Sequence, residues 1–451
     1  MAGEGERAVS RWVVVLLENL TYPKDTRVRN EAESLVGAGH RVTVLAPRGP
    51  GESSRELVGG VEVRRYRTVW AGRSPWSYVL EYGIAHVQLT ARALAALARG
   101  ADTLHLNGPP DTLAIAGVLA RLLGRRVVYD MHDSGPELFQ AKFGGPEPSE
   151  ASAEAARSSA TPEAARSSAT PEAARSSATP EAARSSATPE AARSSATGRA
   201  RAALGALLAR AVLAAQVAAV RCADQVIVTN ETQRELAIAR GGRSPGDVTV
   251  VRNGPRMAEF PEPSDGAPGE LAAPKLVYVG TLDVQDGVLE LPALLSAPAL
   301  ATAHLTIVGS GAAREELLAR CRHAGVEERV TFTGHVPHER VATLIAEADI
   351  GIDPAPGTEL NHGSTMIKVA EYMGAGRPVV AYDLRETRRT AGEAALYAPC
   401  GEPQAFVDLI AELARDGERR LHLGRLARTR ALELTWDRSE EALRMVYARL
   451  A

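Results

Sequence analysis

Two short segments of the chain combine residue types that suit a phosphorylated ligand. The first, Gly309-Ser310-Gly311, follows an apolar run and precedes a helical pattern, so bare backbone amides and a helix N-terminus can meet a diphosphate. The second is Asn361-His-Gly-Ser-Thr365, after which Lys368 and Glu371 lie one turn apart on a predicted helix. A cation beside amides suits a phosphate, and a carboxylate one turn further on can accept hydrogen bonds from a ribose diol.

Both segments also have plainer explanations, which stay open at this point. Gly309-Ser310-Gly311 could be an ordinary tight turn, and the lysine and glutamate a solvated surface pair. Ser364 and Thr365 suit a helix N-cap position. A dinucleotide fingerprint would need a third glycine where Arg314 stands, and no acid follows at the usual spacing, which counts against hydride transfer.

The elements that would carry these segments alternate between strand and helix. Continuous apolar runs rich in β-branched residues predict buried strands, and patterns of helical period predict the helices between them. The alternation predicts a parallel sheet covered on both faces, and it restarts after loop 261–274, so two doubly wound α/β domains would face each other across a cleft. In such domains ligands bind beyond the carboxyl ends of the strands. The predicted strands are Trp12–Leu17, Arg41–Ala46, Val61–Tyr66, Thr103–Leu106, Arg126–Tyr129, Gln225–Val228, Val248–Val251, Lys275–Val279, Ala303–Val308, Val330–Phe332, Ile350–Ile352 and Pro378–Ala381.

Composition and charge exclude several classes of function. The 451 residues carry 52 Lys plus Arg against 55 Asp plus Glu, a net charge of −3 that offers no electrostatic grip on nucleic acid. Hydrophobic residues make up 45% and charged residues 24%, which can build two globular domains. Cys222, Cys321 and Cys400 lack the spacing of a disulfide framework or a metal site, so we expect free thiols in a reducing compartment.

No export or membrane-spanning segment is predicted, and we expect a cytoplasmic protein. The longest apolar stretch, Ala202–Val220, has Arg210 near its centre, which favours a buried helix of a soluble protein. An amphipathic stretch, residues 86–98, could be a core helix or could dock on the inner face of a membrane as a peripheral contact. Four aromatic residues precede it: Trp70, Trp76, Tyr78 and Tyr82.

A nine-residue repeat interrupts the first domain. The unit Ala-Arg-Ser-Ser-Ala-Thr-Pro-Glu-Ala starts at residues 156, 165, 174 and 183, and a partial copy starts at 192. Its regular prolines interrupt a helix, and it has no large apolar side chain to bury. We therefore predict a flexible, disordered surface insertion over about residues 146–198, which is dispensable for chemistry.

The motifs together resemble those of the GT-B retaining glycosyltransferases of family 4, over nearly all of the chain outside the repeat. The resemblance implies two Rossmann-like domains facing a cleft, over residues 1–255 and 256–434, and a helix in residues 435–451 that crosses back to the N-terminal domain. The form Tyr278-Val-Gly-Thr281 with Gln285-Asp-Gly287 is typical of a bacterial subgroup that builds polysaccharides and other glycosides. The other motifs are Tyr22–Glu31, Asn107–Thr112, Tyr129–Asp133 with Pro136–Leu138, Val251–Gly254, Gly309–Gly311, Thr333–Val336 and Glu371–Val380.

The resemblance implies that the C-terminal domain binds a nucleotide-diphosphate sugar, most often UDP- or GDP-linked. Glu371 matches the second glutamate of the family's Glu-x7-Glu signature and would bind the ribose, whereas the first glutamate falls at Gly363, where this chain departs. Many relatives carry an Arg and a Lys where this chain has Thr281 and Asp286, so Lys368 becomes the candidate cation for the diphosphate. The implied donor-binding residues are Gly280, Thr281, Gly309, Ser310, Gly311, Gly334, His335, Val336, Ser364 and Thr365.

The resemblance also implies an acceptor side in the N-terminal domain. His132 lies just beyond a strand, where a histidine in relatives contacts the transferred sugar, although a histidine at a strand end can be structural. We predict that it orients the sugar or assists the leaving group, together with Lys368 and Glu371 as the catalytic set. The further acceptor-side candidates are Lys24, Asn107, Asp111, Asp133 and Glu137.

The implied reaction is transfer of the sugar to a hydroxyl of a carbohydrate, a lipid-linked sugar or a small molecule, with retention of configuration. Oriented amides and one cation can stabilise the departing diphosphate, so no metal and no cofactor are expected. Two alternatives remain: a nucleotide-sugar epimerase on the same fold, and a non-catalytic nucleotide-sugar-binding protein, which the departures at Gly363, Thr281 and Asp286 would suit.

Overall fold

The computed structural model describes residues 10–67, 75–143, 189–262 and 269–450, and these contain two sheets. The first sheet has eight strands in the order β3-β4-β2-β1-β5-β6-β7-β8, and every neighbouring pair is parallel except β3 with β4. Its strands are β1 Trp12–Leu16, β2 Arg41–Pro47, β3 Arg55–Val58, β4 Val61–Tyr66, β5 Thr103–Gly108, β6 Arg126–Met131, β7 Gln225–Val228 and β8 Val248–Val250.

The second sheet has six strands, all parallel, in the order β11-β10-β9-β12-β13-β14. The α/β pattern predicted from the sequence is thus confirmed in both halves of the chain. Two strands were not predicted: β3 is short and largely exposed, and β14 is a four-residue edge strand, so neither has the long apolar run of a central strand. The strands are β9 Lys275–Val279, β10 His304–Val308, β11 Val330–Gly334, β12 Ile350–Asp353, β13 Val379–Tyr382 and β14 Ala395–Ala398.

Helices cover both faces of each sheet. In β1, for example, Val13 and Val14 point to opposite faces and both are fully buried, because α1 and the C-terminal helix cover one face and α2 and α3 the other. The helices are α1 Thr26–Gly37, α2 Pro75–Ala98, α3 Ala114–Leu122, α4 Gly135–Phe143, α5 Pro189–Cys222, α6 Glu231–Gly241, α7 Leu291–Leu295, α8 Arg314–His323, α9 His338–Ala346, α10 Glu359–Gly363, α11 Ile367–Gly374, α12 Arg385–Ala391, α13 Pro403–Arg415, α14 Gly417–Glu433 and α15 Trp436–Ala448.

The C-terminal helix α15 follows the second sheet in sequence but packs on the first, as predicted. Trp436 is 2% exposed and donates from its indole nitrogen to Ser34 Oγ at 3.2 Å. Tyr447 lies in the same core and its hydroxyl is 2.7 Å from His105 Nδ1. The chain enters this helix by passing so close to Gly254 that a Cβ there would lie 1.7 Å from the Leu434 carbonyl oxygen.

By its contacts the chain divides into two units, and the division is not that of the two sheets. One unit contains both sheets, in residues 1–138 and 212–451, and the other comprises residues 139–211. Most of the predicted insertion, residues 146–188, lies outside the described residues. Its last part is helical, because α5 begins at Pro189, where a proline at the first helical position loses no hydrogen bond. The predicted boundary between residues 255 and 256 remains a prediction.

Two apolar stretches differ in how they are covered. In α2, Leu89, Ala93 and Leu97 pack into the first core, so the inner face of stretch 86–98 is that of a core helix. The side chains of the aromatic cluster before it lie outside the described residues. In α5, Leu204–Cys222 is long and apolar enough to cross a membrane by length and composition, which alone is weak evidence. Only 17% of the residues in an 18-residue segment of this stretch are buried, so the prediction of a buried helix is wrong. The helix has apolar side chains on all of its sides, whereas only one side can pack against the protein.

Candidate functional site

Three loops lie side by side at the carboxyl ends of β9, β10 and β11. The Gly280 amide donates to the Val308 carbonyl and the Gly309 amide to the Gly334 carbonyl, both at 3.0 Å. A Cβ on Gly309 would lie 1.9 Å from the Gly280 carbonyl oxygen, and one on Gly311 would lie 2.3 Å from that of Leu282. Close packing of these loops therefore accounts for both glycines, so they are more than a local tight turn. The predicted donor residues Gly280, Gly309, Gly311 and Gly334 come together here.

The next loop residues extend from this group to the surface. Ser310 and His335 are exposed, Thr281 is exposed beside the Tyr278 hydroxyl that donates to its carbonyl at 3.0 Å, and Val336 packs against the core beneath. Helix α8 begins three residues after Gly311, as the sequence predicts within one residue.

Lys368 is buried, 7% exposed, rather than one half of a surface pair with Glu371. Its Nζ lies 3.3 Å from Asp353 Oδ1 and 3.4 Å from Asp286 Oδ1, and 5.1 Å from the ring centre of Tyr278. Burial alone would lower the pKa of Lys368, but these two carboxylates raise it above its ordinary value, so the cation is held firmly charged. The predicted cation is therefore already bound by two acids.

Glu371 lies one turn further along α11, where His338 and Glu259 both affect its pKa. His338, which follows β11, has its Nε2 2.8 Å from Glu259 Oε2. Burial raises the pKa of Glu371, Glu259 adds to that effect, and His338 and Lys368 oppose it. Within the described ranges no hydrogen bond to the Glu371 carboxylate is found, so its oxygens can accept from a ligand.

The N-cap prediction for Ser364 and Thr365 is wrong. Helix α11 has Met366 at its N-cap and no side-chain cap, whereas Ser364 ends α10 and donates to the Leu360 carbonyl at 2.8 Å. Thr365 Oγ1 instead accepts from Asn230 Nδ2 at 2.9 Å. Both hydroxyls have found other partners, because the chain forms a separate short helix before α11.

His132 lies directly after β6, as predicted, and Asp130 of that strand holds it. His132 Nε2 is 2.7 Å from Asp130 Oδ2, while Arg27 donates to both oxygens of Asp130 at 2.8 and 2.6 Å. Burial alone would raise the pKa of Asp130, but Arg27 and His132 hold it well below its usual range. A fixed carboxylate bonded to one ring nitrogen orients the imidazole and leaves Nδ1 for a ligand.

Arg27 also reaches the segment that links the two sheets. Its Nη1 donates to the Val251 carbonyl at 2.7 Å and to Asn253 Oδ1 at 2.8 Å. Sequence analysis missed both Arg27 and Asp130 as site residues, although each belongs to one of the quoted motifs. The sequence signal that could have identified Asp130 is its place next to last in β6, directly after the apolar run Val127–Tyr129.

A buried group of Glu31, His105 and Asp130 has the proximity of a metal site, with ligand atoms within 4.8 Å of one another. Arg27 lies inside this group, because its Nη2 is 2.6 Å from Asp130 and 3.2 Å from Glu31. Burial raises the pKa of Glu31 well above its usual value and lowers that of His105 to about 4. The guanidinium therefore supplies the positive charge that the carboxylates need.

The remaining acceptor-side candidates are largely occupied within the protein. Asn107 is buried and donates to the Leu16 carbonyl at 2.9 Å, and Asp111 accepts from the Tyr129 hydroxyl. Glu137 binds Arg240 and accepts from Ser134. Lys24 is exposed and Asp133 half-buried.

A cavity of about 60 Å³ lies between the two sheet domains near these residues. Ser134 and Glu137 line it from the first half, and Gly363 and Ser364 line it from the second. Predicted acceptor-side and donor-side residues thus meet at one small cleft.

Comparison with known protein families adds to this geometry. A model described as "Glycosyl transferase 4-like domain" matches residues 25–254, and one described as "Glycosyl transferases group 1" matches residues 273–416. The chain belongs to the glycosyltransferase 4-like family. The first match includes His132, the second includes Lys368 and Glu371, and neither includes α15.

Curated relatives of this glycosyltransferase-family chain align with part of it. Glycogen synthase of Mycobacterium tuberculosis (strain ATCC 25618 / H37Rv) is 28% identical over 173 residues, which cover 37% of this chain and 39% of the relative. Phosphatidyl-myo-inositol mannosyltransferase of Mycobacterium leprae is 35% identical over 114 residues, which cover 25% and 29%. The chain therefore spans about two fifths or less of these relatives.

Solved structures match the family member over nearly its full length and share the GT-B fold. Sucrose-phosphate synthase of Thermosynechococcus elongatus has a TM-score of 0.65 at 18% identity, covering 98% of this chain and 99% of that one. Anabaena HepE in complex with UDP and glucose has a TM-score of 0.63 at 14% identity, covering 96% and 98%. The predicted fold class is thus confirmed.

Proposed function

We propose that the protein transfers a sugar from a nucleotide-diphosphate sugar to a hydroxyl acceptor with retention of configuration, in the biosynthesis of a polysaccharide, cell-envelope glycan or other glycoside. One observation carries the proposal: Glu137 of the first half and Ser364 of the second line one interdomain cleft. His132, which Asp130 holds, lies two positions before the lining residue Ser134, and Lys368 and Glu371 follow Ser364. Family membership supports the reaction class.

The donor would lie over the loops after β9, β10 and β11. Backbone amides near Gly309–Gly311 would meet the diphosphate, Glu371 would accept from the ribose hydroxyls, and the backbone at His335 and Val336 would hold the base. HepE has been solved with UDP-glucose, which makes a UDP-sugar the first donor to test; a GDP-sugar is the second.

His132 would orient the transferred sugar or the leaving group. Asp130 fixes one ring nitrogen, so the other can hydrogen-bond a sugar hydroxyl. Amides and the Lys368 cation would stabilise the departing diphosphate without a metal or cofactor, and closure of the domains would exclude water.

We further propose a cytoplasmic location, with a peripheral contact at the inner membrane face that liposome flotation would test.

The first experiment is a thermal-shift panel of UDP-, GDP-, dTDP- and ADP-sugars, in which a rise in Tm with one base identifies the donor class. Turnover of that donor is then measured with and without EDTA and acceptors. A change of the sugar itself without acceptor would indicate the epimerase, and binding without turnover would indicate a binding protein.

Three substitutions test the site, each with a matched surface control. His132→Asn, Lys368→Met and Glu371→Gln should each lower kcat/KM by roughly a hundredfold or more, since each would remove a contact to the reacting donor. The controls are His323→Asn, Lys275→Met and Glu328→Gln, whose side chains are exposed away from the cleft. Unchanged turnover in all three site variants contradicts the assignment.

A further inference from the structure

The segment from the end of β7 to the first turn of α6 lies between the two halves of the candidate site. Its polar residues Thr229, Asn230 and Gln233 are buried, with exposures of 2%, 0% and 1%. A buried amide group must find hydrogen-bond partners, and these residues find them on both sides of the cleft. Their contacts link His132 to residues 363–365.

Asn230 uses its two amide atoms for different domains. Its Oδ1 accepts from the Gln233 backbone amide at 2.8 Å, which caps the N-terminus of α6. Its Nδ2 donates across the interface to the Gly363 carbonyl and to Thr365 Oγ1, both at 2.9 Å. The cap settles the orientation of the carboxamide, because only the nitrogen can face a carbonyl oxygen.

Gln233 repeats this arrangement toward the first half of the site. Its Oε1 accepts from the Thr229 hydroxyl at 2.9 Å, and its Nε2 donates to the His132 carbonyl at 2.9 Å. Two neighbouring carboxamides thus direct their oxygens into their own turn and their nitrogens at opposite walls of the cleft.

We propose that Asn230 and Gln233 are positioning residues, which together set the placement of His132 against the donor loop 363–365. The inference rests on the proposed function, in which His132 and this loop meet the same donor. Neither carboxamide needs to touch the substrate, since each acts through the backbone of a residue that does.

Gly363 explains why this loop needs an anchor from the other domain. It stands where the family's first signature glutamate is expected, so no side chain at this position can bind a ligand or a neighbour. Space is not the reason for the glycine, because a Cβ there would meet only Thr232 Cγ2, at 3.7 Å. Asn230 holds the Gly363 backbone oxygen instead, which places the loop without a side chain.

A second interdomain contact keeps the halves together when Asn230 is changed. Glu386 Oε1 accepts from the Thr232 hydroxyl at 2.6 Å and from its amide at 3.0 Å, and Arg389 donates to both side chains. A substitution at Asn230 should therefore shift loop 363–365 and leave the domains associated and folded.

The test compares Asn230→Ser with Asn230→Asp. Both retain an N-cap oxygen for α6, and both remove the donor to Gly363; the aspartate also places an oxygen against that carbonyl. We expect kcat for transfer to fall roughly 10- to 100-fold, as misplaced reacting groups do, while the nucleotide-induced rise in Tm persists. Gln233→Met removes the shorter of the two hydrogen bonds to the His132 carbonyl, which the Thr229 hydroxyl also approaches to 3.3 Å, and should lower kcat in the same way. Asp416→Ser, at the exposed N-cap of α14, is the control for changing a cap and should keep wild-type kcat.

Hydrogen exchange gives a readout that is independent of catalysis. Asn230→Ser should speed amide exchange in a peptide covering residues 361–366, and Gln233→Met in one covering 131–134, with Asp416→Ser unchanged in both. Wild-type kcat and wild-type exchange in the Asn230 and Gln233 variants overturn the proposal. If wild-type protein turns over no nucleotide sugar, the proposed function fails. Unchanged exchange in these two peptides then still contradicts a positioning role of Asn230 and Gln233.

Discussion

At the scale of single residues, the candidate diphosphate site has an unusual charge balance. Lys368 carries one positive charge between Asp286 and Asp353, whereas a nucleotide diphosphate brings at least two negative charges. Burial raises the pKa of Asp286 and Asp353 adds to this, while Lys368 opposes it. Asp286 is the more exposed of the two acids, so it is the better position for a substitution that removes the negative charge.

Asp286→Asn should therefore tighten nucleotide-diphosphate binding by about threefold to tenfold at pH 7.5, because it removes one repulsive charge at partial solvent exposure. The gain should shrink as pH falls toward the raised pKa of Asp286, since the wild-type carboxyl is then protonated as well. Calorimetric titration of UDP measures both effects. Asp408→Asn, at an exposed position of α13, serves as control. Equal or weaker binding by Asp286→Asn would contradict a repulsive effect of this carboxylate on the ligand.

Asp111 carries a cost of burial that can be measured as stability. Burial raises its pKa to about 6, although the Tyr129 hydroxyl that donates to it opposes the rise. A pKa above the unfolded value of 3.8 means that the folded state disfavours the charged form, so stability is lost as pH rises from about 4 to 6 and stays lost above. Asp111→Asn keeps the acceptor for Tyr129 and removes the charge.

We expect Asp111→Asn to be more stable than wild type at pH 7.5, by on the order of 2–3 kcal/mol, and by clearly less at pH 5. Urea unfolding at the two pH values checks the sign, with Tyr129→Phe to assess the hydrogen bond separately. A stability difference that does not change between the two pH values would contradict a titrating Asp111.

At the scale of elements, the return of the chain to the first sheet depends on one glycine. Gly254→Ala would place a Cβ 1.7 Å from the Leu434 carbonyl oxygen, where backbone cannot yield without moving the start of α15. We expect a loss of roughly 2 kcal/mol or more, as for other strained or overpacked substitutions. Thermal and urea unfolding measure it against Gly246→Ala, whose Cβ would meet nothing within 4 Å. Equal stability of the two variants would mean that the crossing adjusts freely.

At the scale of the whole molecule, the unit of residues 1–138 and 212–451 contains every residue of the candidate site, and the repeat contains none. We expect removal of residues 156–182, three whole units, to leave donor turnover and the nucleotide-induced Tm shift within about twofold of wild type, because loop length changes closure entropy only slightly. Parallel assays of both chains test this. A large loss of turnover with an unchanged Tm shift would assign the repeat a role in acceptor binding.

The sequence predicted the elements better than the contacts between them. Central strands such as β1 and β10 are continuous apolar runs, so their positions follow from local composition. The wrong assignments concern surroundings: Ser364 and Thr365 were predicted as helix caps, and Ala202–Val220 as a buried helix. The contact of Thr365 with Asn230 cannot be read from neighbouring residues, because the two positions are 135 apart in the chain.

From the sequence alone followed two doubly wound α/β halves, the position of His132 just after a strand and of Lys368 on a helix, and a family resemblance that the comparisons confirm. Strand periods, helix periods and strand-end loops are local patterns. Only the tertiary structure decided that Arg27 binds Asp130, and that Asn230 reaches Gly363 from 133 positions away. Such pairs depend on strand order and on how the two halves meet, which no local period encodes.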